Sequence, residues 1–514
     1  MRERALLLVN LSITGWSSMN KPKQDRSVLI KKYFEEKKFV ESNIQSFNHF
    51  IEKGLQEVIE ENKEAEPTII PHNIEKFKIR FGRITVGKPE ITEADGSKRP
   101  IYPVEGRLRK ISYHAPIYLE VSTYINDVQR ENFVAEIGKM PIMLKSKFCH
   151  LHKVSNEELV KHGEDGSDPG GYFIINGTER ALINIEDLAA NNFMVERDTD
   201  GSFNGRFFAA RGSYKIPHSF ERKKDGLYYV TFTRVKQMPL VVVLKALGLV
   251  KDEEIMKAIS MDKTYEEVIL NLFEFVDLKT QDDAIDFIAK RVGVGQAKEV
   301  RMERTKEILD KYLLPNIGLE TRDRPAKARN LAKMLKKFID VSNGVRGEDD
   351  KDHYMNKRIR MSGDLLVDLF RVNFKVLVGD ILYNFQRIIK RGKLPSIRVI
   401  IRDKLLTSRL YSSMATGEWV GGRQGVSQRM DRSNFLAMIS HLQRVASPLS
   451  NSQENFEARA LHCTHLGRLC PIETPEGTNI GLRKNLAMLC SLSQRAEEGD
   501  VVDKLKAIGL KEAI

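Results

Sequence analysis

The chain has 514 residues, too many for a single hydrophobic core, so roughly three domains of about 150 residues each are expected. Lysine and arginine total 83 against 70 aspartate and glutamate, a net charge of +13, which favours a polyanionic partner and leaves a plain solvated basic surface as the alternative. Four scattered cysteines exclude a disulfide framework and suit a reducing, cytoplasmic setting, and no window approaches the run of about eighteen apolar residues that spans a membrane.

Residues 1–18 pair a charged start with a short apolar run, as a secretory leader does, but Asn10 interrupts the run and no small-residue cleavage pattern follows. Residues 1–24 therefore read as a non-structural extension. Over 26–63 the apolar spacing predicts two amphipathic helices joined by the polar segment E-S-N-I-Q-S, residues 41–46. Period-two alternation in K-F-K-I-R-F-G-R-I-T-V (76–86) and P-I-Y-L-E-V-S-T-Y (116–124) predicts strands whose exposed side carries Arg and Lys. The stretch D-P-G-G-Y-F-I-I-N-G-T-E-R (168–180) reads as a turn, a buried strand and a hairpin at Asn176-Gly177 with both turn residues at positive φ. Arg180 emerges just after it, placed to meet either a phosphate or a neighbouring carboxylate.

Between 191 and 347 the texture changes to a basic and aromatic strand region, N-G-R-F-F-A-A-R-G-S-Y-K, followed by helices. In the clearest of these, 325–341, Ala328, Leu331, Ala332, Leu335, Phe338 and Ile339 share one face, and Lys327, Arg329, Lys333, Lys336 and Lys337 share the other. A solvated surface is the commoner role of such a basic face. Residues 348–364 read as a charged junction, 365–390 as another amphipathic helix, and 410–428 as a glycine-rich segment.

Catalytic chemistry finds little purchase. Two-metal nucleotidyl transfer needs converging carboxylates, and no Asp-x-Asp-x-Asp cluster is present. His462, Cys463, His465 and Cys470 have spacings that match no structural zinc pattern, and G-V-G-Q-A-K (293–298) lacks the residues that complete a phosphate loop. No catalytic or metal-binding residue is assigned. What remains in 428–485 is a series of polar and cationic donors, Gln428, Arg429, Arg432, His441, Arg444, Arg459, Arg468, Arg483 and Lys484, suited to salt-sensitive, sequence-independent phosphate contacts.

The run A-R-A-L-H-C-T-H-L-G-R-L-C-P-I-E-T-P-E-G-T-N-I-G-L-R-K-N-L-A (458–487) resembles the second-largest subunit of multisubunit DNA-directed RNA polymerases, called β in bacteria. Support comes from I-G-K-M-P-I-M-L-K-S-K (137–147), G-G-Y-F-I-I-N-G-T-E-R (170–180), D-D-K-D-H-Y-M-N-K-R-I-R (349–360) and S-Q-R-M-D-R-S-N-F-L-A-M-I-S-H-L-Q-R-V (427–445). The resemblance runs from about residue 25 onward and is to the N-terminal half of the archaeal form of that subunit, in the arrangement where it is split into two polypeptides.

It implies a multidomain α+β fold with a protrusion (25–190, returning at 348–405), a lobe (191–347) and a fork (406–514). It also implies a nucleotidyltransferase complex in which this chain is not active alone and binds no cofactor, the Mg²⁺ being held by the largest subunit of the assembled polymerase. Implied partners are the C-terminal half of the split second-largest subunit, the largest and smaller polymerase subunits, template DNA, nascent RNA and general transcription factors. By position, 421–424 (with Arg423) matches the first fork loop and 449–456 the second. Gln428, Asp431, His441, Arg444, Pro475, Glu476 and Asn479 match residues lining the RNA side of the cleft; Arg180 matches a further wall position, and Arg459 and Arg468 face the active centre. Gln443, Cys463, Leu466 and Thr478 depart from the family pattern, the first by replacing an arginine. A free-standing nucleic-acid-binding protein is the rival reading, separated by failure to co-purify with polymerase subunits. A metal-dependent hydrolase using His462 and His465 would show itself by stoichiometric zinc.

Overall fold

The computed structural model describes residues 25–510, apart from 26, 37, 72–73, 199, 213, 262–264, 294–296, 393–394, 453 and 494–497. The 1–24 extension lies outside the described residues. Helices and several separate sheets build an α+β multidomain fold around two large apolar cores.

The first core draws on residues 39–185 and 365–442. Its sheet has four antiparallel strands, in the order Glu64–Ala65, Phe77–Val86, His114–Ile125, Val128–Pro141. The alternating apolar face of Phe77–Val86 packs on the long helix Ser362–Ile389, with Phe77 stacked on Phe385 at 4.4 Å and Phe81 edge-on to Phe374 at 5.5 Å. The helices at 26–63 divide differently from the expected pattern. Ser27–Glu36 ends before Phe39, and E-S-N-I-Q-S lies inside the next helix, Glu41–His49, which continues through a π-turn at Phe50–Gly54 into Leu55–Glu61.

Asn43 and Ser46 of that segment are buried against the start of Ser362–Ile389, which holds it helical. Asn43 Oδ1 and Ser46 Oγ accept from the N–H groups of Ser362 (3.4 Å) and Gly363 (3.1 Å), donors that a helix N-terminus otherwise leaves unpaired. A Cβ on Gly363 would lie 2.1 Å from the Ser46 carbonyl oxygen, so the approach requires glycine there.

The second core draws on residues 193–341. Five antiparallel strands follow one another in chain order from Phe193–Arg197 to Val235–Pro239, and helices cover one side. In Arg324–Ser342 the six expected apolar residues are buried, but Lys327 is buried with them. Its Nζ donates to the Asp310 carbonyl at 2.7 Å in the last turn of Lys298–Tyr312, where helical carbonyls lack partners, and burial pushes its pKa down to about 8. Lys327 is thus a C-terminal cap for a neighbouring helix rather than part of a solvated face.

The two passages of chain between the cores lie side by side. Ala189 N–H donates to the Asn356 carbonyl at 2.8 Å, and Val195 N–H donates to the Asp349 carboxylate at 3.0 Å. The expected charged junction also contains a strand, Lys357–Arg360, which pairs with Asn184–Leu188. Together with Arg444–Ala446 and Arg483–Asn485 these make a small four-stranded sheet from segments far apart in sequence. The Asn176-Gly177 turn has φ of 48° and 74° and closes the hairpin of Phe173–Ile175 with Thr178–Leu182.

Candidate functional site

Strand alternation sorts the cations of the small sheet onto two faces. Val445 stands opposite Lys484, and its neighbours Arg444 and Ala446 stand opposite Asn485 and Arg483. On the inner face the Glu186 carboxylate, 3% exposed, accepts from Lys484 Nζ at 2.9 Å and from the Tyr354 hydroxyl at 2.6 Å, with Lys357 Nζ at 3.9 Å. Burial pushes the Glu186 pKa up, but the Lys484 and Lys357 ammonium groups and the Tyr354 hydrogen bond outweigh it and hold the group below its usual 4.5.

The outer face is different. Arg444 is half-buried and Arg483 lies beside it, and among the described residues neither guanidinium is hydrogen-bonded or ion-paired. Burial, reinforced by the Arg483 charge, holds the Arg444 pKa below its usual value, while Glu473 and Asp431 offset this in part from a distance.

His441, 3% exposed at the end of Phe435–Leu442, braces this face. Its Nδ1 accepts from the Asp431 N–H at 3.1 Å, which leaves Nε2–H to donate to Gln428 Oε1 at 3.1 Å. Gln428 in turn donates to the Gly425 carbonyl at 2.9 Å. Burial, with the Arg444 charge next, pushes the His441 pKa down to about 4, so the ring is neutral near pH 7 and acts as a strut.

A cleft of about 440 Å³ opens on the outer face, lined by the 421–426 loop with Gln428, Asn451, Asn479 and Arg483. It brings together Arg423, Gln428 and Asn479 of the expected residues. Arg423 reaches Asp187 at 3.4 Å, and the same carboxylate accepts from Lys215 of the second core's sheet at 2.9 Å. Arg459 donates to the Thr478 (2.6 Å), Ile480 (3.0 Å) and Asn451 (3.1 Å) carbonyls, pinning the loops that carry Asn451 and Asn479. Asp431 caps its own turn, accepting from Ser433.

Arg468 and Glu476 are exposed and do not line the cleft. Arg180 stands opposite Arg429 across the Thr178–Leu182 and Ser427–Arg429 strands, and its Nε is buried without a partner among the described residues. Two donors expected to face nucleic acid are taken internally. Lys484 belongs to Glu186, and Arg432 binds Glu179 (2.6 Å), Asp168 (2.9 Å) and the Tyr172 hydroxyl (2.8 Å), because these buried or half-buried acceptors need a cation. Glu186, Asp187 and Tyr354 went unnoticed in the sequence, although Tyr354 lies in the D-D-K-D-H-Y-M-N-K-R-I-R stretch.

Among the described residues no group of three or more His, Cys, Asp or Glu side chains is placed to hold a metal ion, and no helix is long and apolar enough to cross a membrane. The cleft is lined by polar and cationic side chains, Arg423, Gln428, Asn451, Asn479 and Arg483 among them.

Residues 38–408 match the family described as RNA polymerase beta subunit, and 428–492 match RNA polymerase Rpb2, domain 3. The chain belongs to the RNA polymerase beta-subunit family, as the N-terminal half of the second-largest subunit in its archaeal form. It is 44% identical over 493 residues to the DNA-directed RNA polymerase subunit Rpo2N of Methanocaldococcus jannaschii, covering 94% of this chain and 98% of that one. Identity to the Rpo2N of Methanococcus vannielii is 42%, covering 95% and 99%. Against the longer Rpo2 of Saccharolobus solfataricus it is 41%, covering 95% of this chain but 43% of that subunit. Proteins of this family work within a multisubunit nucleotidyltransferase.

Proposed function

We propose that this chain builds one side of the DNA/RNA cleft of an archaeal-type DNA-directed RNA polymerase. In this reading 25–190 and 348–405 are the protrusion, 191–347, which holds the second core, is the lobe, and 406–514 is the fork, whose 406–442 part packs into the first core. The cleft face carrying Arg444 and Arg483, with Arg423, Gln428 and Asn479 around it, meets phosphates of template or transcript; Asp431 and His441 hold that face in shape. Arg180, Arg459, Arg468 and Glu476 lie on the surrounding wall, with Arg459 acting through the loops it pins.

The observation that carries the reading is a pair of guanidinium groups with no ion-pair partner among the described residues, Arg483 lining an open cleft and Arg444 next to it on the same sheet face. Cations held together without counter-charge favour a polyanion, and the binding is salt-sensitive and indifferent to sequence. Such contacts serve nucleotidyl transfer by orienting the nucleic acid and stabilising charge. The Mg²⁺ that activates the attacking hydroxyl and stabilises the leaving pyrophosphate is assigned to the largest subunit. The C-terminal half of the split second-largest subunit, the other polymerase subunits and general transcription factors complete the assembly, in the cytoplasm.

The test is reconstitution of the polymerase with Arg444→Ala. Assembly stays intact while elongation falls, and the slope of binding against log salt drops by about 1. Unaltered transcription and salt dependence would remove Arg444 from the contact.

A further inference from the structure

The helix Glu498–Ile508 begins after residue 492, where the Rpb2 domain 3 match ends. Val501, Leu505 and Ile508 fall at i, i+4 and i+7 and form one stripe, bordered by Lys504 on one side and Val502 on the other, while Asp500 and Asp503 lie off it. Every described side chain from 499 to 510 is exposed, Ile508 to 84%. Eleven residues are too few for a stable isolated helix in water, so a helix of this length persists by laying its apolar face on something. It also has a defined stop. Gly509, at φ 111°, donates to the Lys506 carbonyl at 3.0 Å, and Leu510 N–H donates to the Leu505 carbonyl at 2.9 Å.

The relatives indicate what covers it. The matched region is 43% of the longer Rpo2 of Saccharolobus solfataricus, so in that protein more than as much again shares the polypeptide. In that protein the chain continues past the matched region, and in a divided subunit the continuing polypeptide is a separate chain of the same assembly. The segment leading to the helix exposes further apolar side chains, with Phe456, Leu466 and Ile472 each more than four-fifths exposed.

We infer that the Val501–Leu505–Ile508 stripe is the docking surface for the polypeptide that completes the split subunit. The inference rests on the reading of this chain as the N-terminal half of that subunit. The docked helix keeps its polar side in solvent, as an amphipathic helix in a groove does.

The test is co-expression of the full chain with the C-terminal polypeptide, followed by affinity capture. The double variant Leu505→Asp/Ile508→Asp loses capture by about tenfold or more, since a charge at the centre of an apolar interface is left unpaired. Asp503→Asn, off the stripe, captures as wild type does. Because the changed side chains are exposed, the thermal midpoint of the free chain stays put, and amide exchange across 498–508 slows when the wild-type pair forms. Undiminished capture by the double variant, or unaltered exchange, overturns the inference alone. Failure of the wild-type chain to capture the polypeptide at all overturns the underlying reading. Self-association of the wild-type chain that the double variant abolishes makes a second copy the occupant and also overturns the inference.

Discussion

Two faces of one small sheet treat positive charge in opposite ways. On the inner face, Lys484 and Lys357 surround Glu186 and are closed off by Tyr354; on the outer face, one residue away along the same strands, Arg483 lines a cleft and neither it nor its neighbour Arg444 is ion-paired among the described residues. Because side chains alternate along a strand, Arg483 and Lys484 are consecutive and yet have unrelated roles. The matched face holds the fork segments to the rest of the molecule, and the unmatched face has charge to spare for a ligand.

Removing Glu186 breaks the contrast most severely. Glu186→Ala strands the buried Lys484 ammonium, while Lys357 keeps Asp352 at 3.0 Å; the loss is about 3–5 kcal/mol, read as a lower denaturation midpoint. Since the folded-state pKa of Glu186 lies below 4.5, its contribution is present above that pH and is lost as pH falls through the lower value, so the wild type weakens in acid more than the variant does.

His441 gives the next effect. Its folded pKa is about 4 against the usual 6.5, so the unfolded chain takes up the proton first, and stability declines as pH falls from 6.5 toward 4 and then levels off. The decline attributable to this ring is up to about 3 kcal/mol at 1.36 kcal/mol per pH unit, and His441→Gln removes it. In Arg444→Ala the ring's NMR titration midpoint rises, because a nearby positive charge is gone; an unmoved midpoint would sever the two residues.

Arg444→Ala costs about tenfold in elongation at moderate salt, equivalent to about 1.4 kcal/mol, with the denaturation midpoint little changed. Arg432→Ala reverses that pattern, lowering the midpoint while leaving the salt slope of nucleic-acid binding alone, since its guanidinium is held by Glu179 and Asp168. Arg423→Ala has the smallest effect, about two- to threefold on binding, because Asp187 already holds part of its charge.

What was legible in the sequence was local. The Asn176-Gly177 turn follows from two residue types that tolerate positive φ, and the strands through 76–86 and 116–124 follow from period-two alternation. The family motif supplied the candidate cleft residues, and the cleft gathers Arg423 and Gln428 with Asn479 from two separate stretches. What escaped notice depends on partners distant in the chain. Lys357–Arg360 is a strand because Asn184–Leu188 lies beside it, E-S-N-I-Q-S is helical because Gly363 presses against it, and Lys327 is buried because another helix ends there. Lys484 and Arg483 look equivalent in a list of cations, and only the sheet register separates them.

The paired crossings at Ala189–Asn356 and Val195–Asp349 bear on how the chain assembles. The first core joins segments on either side of the whole 193–341 unit, a separation that on its own makes for slow, entropically costly closure. Once the 193–341 unit has folded, its entry and exit strands are neighbours, and the effective loop between 185 and 365 shrinks to a few residues. The unit with the more local contacts thereby acts as a splint for the other. Its stability sets the rate at which the Ser362–Ile389 helix finds the sheet of Phe77–Val86.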